Sequence, residues 1–191
     1  MERSRVQSTS TPADMERKPG HSGFRTEISF RAAGFRPNSG LIYRGNAIDG
    51  YQAELSANIP NTGRIHTTTS ADGQSIGPKS VLAISGERTQ VFEVNGAERV
   101  NFEETLLTNE ELSELFNSSS WNRIRVVAVG TRISHFINDV LVAETTNNTR
   151  RGKEARGPLA FEGKTDQPGV TTDTVVQFRD IRLKYLSADL P

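Results

Sequence analysis

The stretch WNRIRVVAVGTRISHFINDVLVAE, residues 121–144, decides the fold. Ile124, Val126 and Ala128 recur at every second position, the period of a pleated strand with one buried face. The run stops at Gly130. Arg132–Ile137 is a second run and stops at Asn138-Asp139, a turn pair. Val140–Glu144 follows. Three short runs joined by two tight turns predict an antiparallel meander.

The same grammar extends outward from this segment. In Tyr51–Ala57, Tyr51, Ala53, Leu55 and Ala57 share one face, while Gln52, Glu54 and Ser56 share the other. Phe24–Ala32 groups Phe24, Ile28 and Phe30. Shorter strands are expected at Leu41–Arg44, after a Pro37-Asn38-Ser39-Gly40 turn, and at Gly63–Thr68, Val81–Ser85 and Pro158–Glu162. Residues 69–79 and 145–157 read as loops. Gln90–Val94 and Arg99–Phe102 flank Asn95-Gly96, a hairpin signal. In the last strand, Thr174–Leu186, the apolar parity passes from Val176 and Phe178 to Ile181, Leu183 and Tyr185, which predicts a bulge near Arg179-Asp180. One short helix is expected over 108–117: Thr108 and Glu111 have capping-box spacing, and Leu112, Leu115 and Phe116 form an apolar stripe. The sum is an all-β sandwich.

Its 191 residues fit one domain. The sandwich is expected over 23–188. Residues 1–22 are polar and nearly lack large apolar side chains, so they read as a disordered or loosely attached arm. Lys plus Arg and Asp plus Glu both number 23, and this balance argues against a nucleic-acid partner and gives no reason to expect a membrane surface. The absence of cysteine excludes disulfides, thiolate nucleophiles and Cys-based zinc sites. His21, His66 and His135 show no ligand spacing, so neither metal nor cofactor is expected, although loop ligands for calcium leave little sequence trace. No run is long enough to span a bilayer, and the N-terminus lacks the apolar centre of a signal peptide. The chain as written reads as cytoplasmic, or as secreted or periplasmic if a leader precedes it.

Five segments occur in a telling order: NSGLIYR (Asn38–Arg44), GYQAEL (Gly50–Leu55), TGRIH (Thr62–His66), WNRIRVVAVGTRISHFIND (Trp121–Asp139) and VVQFRDIRLKYL (Val175–Leu186). Over roughly residues 24–187 the set resembles the 3-keto-disaccharide hydrolase family. The resemblance implies a concanavalin-like or laminin-G-like jelly roll. It also implies cleavage of a glycoside whose ring carries a 3-ketone. The chain departs from the family pattern at three places. Gln52 and Glu54 stand where the family usually has Glu then Gln, Glu162 stands where it has Gln with a nearby His, and Ile137-Asn138-Asp139 replaces its ING turn. The family also carries a longer strand-bearing segment ahead of the NSG strand.

A 3-ketone acidifies the proton on C2, so such a site needs a base and a donor for the enolate oxygen. Glu54, on the polar face of its strand, is the expected base. His66 and Glu162 complete the expected catalytic set. Arg44, Gln52 and Arg64 are expected to bind substrate, Arg64 sharing a face with His66. His135, between Ile133 and Ile137, is expected to be packed or at an interface, and Trp121 to lie in the core. Two other readings stand beside the enzyme: a non-catalytic carbohydrate-binding module, and an interaction domain completed by a partner strand at an open edge, for instance as a homodimer.

Overall fold

The computed structural model describes residues 21–33, 38–45, 50–56, 61–68, 81–117, 120–154, 157–162 and 175–187. Two sheets lie face to face. The larger has seven strands in the order β12 (Val175–Ser187), β1 (His21–Ala33), β8 (Asn122–Val129), β9 (Arg132–Ile137), β10 (Val140–Asn147), β6 (Glu87–Val94) and β7 (Ala97–Thr105). The smaller has five, in the order β11 (Ala160–Phe161), β2 (Asn38–Tyr43), β3 (Tyr51–Ser56), β4 (Ile65–Thr67) and β5 (Val81–Ala83). β10 and β6 are parallel. The architecture is the all-β jelly-roll sandwich.

Alternation decides what enters the core. Ile28 and Phe30 from β1, Ile124, Val126 and Ala128 from β8, and Leu41, Tyr43, Tyr51, Ala53 and Leu55 from β2 and β3 are fully buried between the sheets. Each large apolar side chain removed from water in this way contributes about 1.5–3 kcal/mol. The odd positions of β8 point outward. Trp121 precedes β8 with this odd parity, so it is not a core residue as expected. It is half-buried on the outer face, with Arg179 4.0 Å and Arg31 5.3 Å above its ring centre.

The bulge falls where the parity shift predicts it. Glu27 pairs with Arg182 but Ser29 with Arg179, so β12 carries one extra residue there, with Asp180 at φ 54°. Helix α1 (Asn109–Leu115) has Thr108 as N-cap and a complete capping box with Glu111. Leu112 is buried, and Phe116, just past the helix, stacks on Phe30 at 6.1 Å. Removing the cap with Thr108→Ala is expected to lower stability by about 1 kcal/mol, measured by urea unfolding.

Two local expectations change. Asn38–Gly40 belong to β2 instead of a turn, because β3 supplies a hydrogen-bonding partner strand for them. The stretch 145–157 is not one loop: β10 runs to Asn147, and a short helix α2 (Arg150–Glu154) follows. Asn147 organises this change. It is buried, donates to Tyr51 Oη at 3.0 Å and accepts from the Thr149 amide at 3.1 Å. The expected loop over 69–79, and positions 1–20 of the arm expected over 1–22, lie outside the described residues; positions 21 and 22 of that expected arm instead open β1, paired with β12.

Candidate functional site

β3 presents its two faces to different surroundings. Tyr51, Ala53 and Leu55 enter the core; Gln52 and Glu54 face away from it, over the outer side of the five-stranded sheet. Gln52 pairs with Ile42 of β2 and His66 of β4, and Glu54 pairs with Gly40. Neighbouring strands thus bring Asn38, Gln52, Glu54 and His66 to one face. Glu162 joins them because its amide donates to the Gly40 carbonyl at 2.8 Å, just beyond β11.

Glu54 is the hub. His66 Nε2 lies 2.8 Å from Glu54 Oε2, and the Asn38 side-chain amide donates to Oε1. Arg64 Nη2 approaches Oε2 at 3.6 Å. His66 Nδ1 sits 3.2 Å from the Thr67 carbonyl. The ring is held between two acceptors, a carboxylate and a carbonyl. A second pair lies beside it: Gln52 Nε2 donates to Glu162 Oε2 at 2.7 Å. Gly40 makes that reach possible. A Cβ at position 40 would run into the Gln52 amide, so only a glycine lets Gln52 lie flat across β2.

The centre of this face is closed to water, with Glu54 at 2 % and His66 at 0 % relative exposure. Its margins are more open: the Arg64 side chain is 26 % exposed and Glu162 is half-buried. Arg64 donates from Nη1 to Asn61 at 3.2 Å, yet its buried Nε has no hydrogen-bond partner. A buried donor without an acceptor is costly.

Five of the six residues singled out from the sequence, Gln52, Glu54, Arg64, His66 and Glu162, lie in this cluster. Arg44 lies elsewhere. Its φ of 52° ends the strand alternation, and its guanidinium donates to the Gly130 carbonyl at 2.7 Å and lies 6.0 Å over Phe24. Asn38, read from the sequence as part of a turn, is a member that sequence reasoning missed. Its signal was the diagonal it shares with Glu54 once Asn38–Gly40 is taken as strand.

His135 is packed, on the opposite side of β3 and β4 from the cluster. Its Nδ1 lies 2.7 Å from the Gly63 carbonyl and its Nε2 2.7 Å from Tyr43 Oη. Complete burial brings its pKa down to about 4, against a smaller upward pull from the Gly63 carbonyl. On the outer face of the larger sheet, Glu144 accepts from Ser134 at 2.6 Å, Arg88 at 2.7 Å and Arg132 at 2.8 Å. Burial pushes its carboxyl up, but those hydrogen bonds and the arginine charges outweigh burial and hold it below its ordinary value. Among the described residues, no group of three or more His, Asp or Glu is placed to hold a metal ion, and no helix is long and apolar enough to cross a membrane.

A model of 3-keto-alpha-glucoside-1,2-lyase-like domains matches residues 7–184. No curated protein matches the chain. Among solved structures, the carbohydrate-binding module CBM66 of Bacillus subtilis is 15 % identical, with a TM-score of 0.48 over 85 % of this chain and 75 % of that one. A putative glycosyl hydrolase of Parabacteroides distasonis is 16 % identical, with a TM-score of 0.47 over 85 % and 78 %. The Caenorhabditis elegans galectin LEC-6 is 12 % identical, with a TM-score of 0.42 over 92 % and 91 %.

Proposed function

This chain belongs to the family of 3-keto-alpha-glucoside-1,2-lyase-like domains, and from that premise we propose that it cleaves 3-keto-glycosides at the polar face of its five-stranded sheet. The observation that carries the reading is the Glu54–His66 pair at 2.8 Å, flanked by Arg64 and by the Gln52–Glu162 pair. Glu54 takes the proton from C2 of the sugar. The C–H electrons move toward C3 and leave negative charge on the ketone oxygen, where the Arg64 guanidinium, at the more open margin of the face, supplies positive charge and a donor. The carbonyl re-forms, a C1–C2 double bond appears, and the bond from C1 to the aglycone oxygen breaks. Glu162, held by Gln52, gives the departing oxygen its proton. Water then adds at C1 and a proton returns to C2, leaving the free 3-keto sugar. His66 acts through Glu54, fixing its orientation and its charge. Neutral or charged, no ordinary pair of glycosidase carboxylates is required by this chemistry.

One observation favours a second reading. Glu54 at 2 % exposure is already met by Asn38, His66 and Arg64, which suits a polar scaffold beneath a sugar-binding surface as well as a base. The test is incubation of the protein with aryl 3-keto-glucosides beside the unoxidised parents, following aglycone release, with calorimetric titration of both. Release from the keto forms alone supports the enzyme. Binding without release supports the non-catalytic module. Neither release nor binding removes both readings.

A further inference from the structure

Among the described residues, β7 ends the seven-stranded sheet, and along it the sandwich is unfinished. The five-stranded sheet stops at β5, which faces β6: Thr89 Oγ1 donates to the Leu82 carbonyl at 2.7 Å, and Val91 is fully buried. One strand further out, Val100 and Phe102 oppose Val91 and Thr89 and so share their inward face, but they are 46 % and 53 % exposed. A long edge strand with uncovered apolar side chains and unpaired backbone groups is a template for another strand.

The hairpin fixes which backbone groups are free. Asn95 at φ 51° and Gly96 at φ 77° form a two-residue turn of the type that makes Val94 and Ala97 a hydrogen-bonded pair. Alternation from that pair turns the N–H and C=O groups of Ala97, Arg99 and Asn101 toward β6. Those of Glu98, Val100 and Phe102 point away from the sheet.

We propose that β7 is a self-association edge, pairing antiparallel with β7 of a second copy of this chain about a two-fold axis at Asn101. This register sets Val100 against Phe102 of the other copy, twice, as hydrogen-bonded pairs made from the outward groups. Arg99 then lies across from Glu103 of the other copy, also twice. Glu103 is the extra residue of a bulge in β7, between Phe102 opposite Thr89 and Glu104 opposite Arg88. Arg99, Val100, Phe102 and Glu103 are all exposed in the single chain. The neighbouring two-fold registers are poorer. An axis at Val100 sets Glu98 against Phe102, and one at Phe102 sets Val100 against Glu104. The other acidic residues of the edge are already neutralised within the chain: Glu104 is paired with Arg88, and Glu98 lies 3.6 Å from Arg151 Nε. The edge is therefore complementary to itself in hydrogen bonding and charge. The partner is a second copy, which makes one continuous sheet of the two larger sheets and joins the Val100 and Phe102 side chains of both copies into one cluster.

The test is light scattering coupled to size exclusion over a concentration series of the full chain, with circular dichroism confirming the fold of each variant. The wild type is expected to dimerise. Arg99→Glu places Glu against Glu in its own dimer, and Glu103→Arg places Arg against Arg. Each is expected to raise the dissociation constant roughly tenfold or more at low salt, less at high salt. An equimolar mixture of the two variants makes every facing pair opposite in charge, and it is expected to recover the dimer. A wild type that stays monomeric throughout the series overturns the proposal. So does a dimer unaffected by either reversal, or a mixture that fails to reassociate.

Discussion

Glu54→Gln is expected to slow aglycone release from 3-keto-glycosides by about a hundredfold to ten-thousandfold, the usual contribution of a positioned general base. Glutamine keeps the shape and can still accept from the Asn38 amide. It cannot take up a proton, and it leaves Arg64 without the carboxylate now 3.6 Å from its Nη2. The comparison that gives this result meaning is Glu162→Gln. Glu162 lies at the more open margin of the face, tied to Gln52 at 2.7 Å. If Glu54 is the base, its variant loses kcat on substrates with good and poor leaving groups alike. The Glu162 variant should instead suffer most when the departing oxygen needs a proton. Full activity of Glu54→Gln, with Glu162→Gln inactive on every substrate, would move the base to position 162.

The second large effect is on stability under acid. His135 in the folded chain has its pKa brought down to about 4, whereas an unfolded histidine titrates near 6.5. Between those values the unfolded chain binds the extra proton, so folding stability falls as pH is lowered through this window. Each pH unit costs about 1.4 kcal/mol, so the descent from neutrality to pH 4 costs on the order of 3 kcal/mol from this one side chain. The cause is geometric. The neutral ring is already satisfied, giving its Nδ1 proton to Gly63 and accepting from Tyr43, and a second proton would be a charge buried between the sheets. Urea unfolding at pH 7.5, 6.5, 5.5 and 5 isolates the effect, because carboxylates such as Glu144 begin to lose their stabilising hydrogen bonds at lower pH. His135→Gln should be less stable than the wild type at neutral pH but nearly flat across this range. Parallel curves for the two proteins would mean that another group sets the acid sensitivity.

Neither effect is visible in composition, but much of the ground for them is visible in periodicity. Strand parity placed Glu54 and Gln52 on the face opposite Tyr51, Ala53 and Leu55, and the structure has them so. The same parity rule assigns Trp121 outward with Arg123 and Arg125, and its ring lies under Arg179, not in the core that its size alone would predict. The bulge at Asp180 and the box at Thr108 were legible because each is a local event, settled by residues within a few positions of one another.

Other features depend on partners that are distant in sequence. Asn38 became strand because β3 offered it hydrogen bonds, and only then did its side chain meet Glu54. Arg44 left the cluster because a left-handed residue breaks the two-residue repeat on which strand arguments rest. His135 is a neutral core histidine because the fold brings Tyr43 and Gly63 to its two nitrogens, from 92 and 72 residues away. By itself the sequence determined the all-β sandwich, the inward face of strands such as β3 and β8, and the short capped helix, since these follow from backbone period and neighbouring residues. Which polar side chains meet, which of them water reaches, and which strand ends the sheet were decided by tertiary structure alone, because pairing between strands sets distances that no spacing along the chain contains.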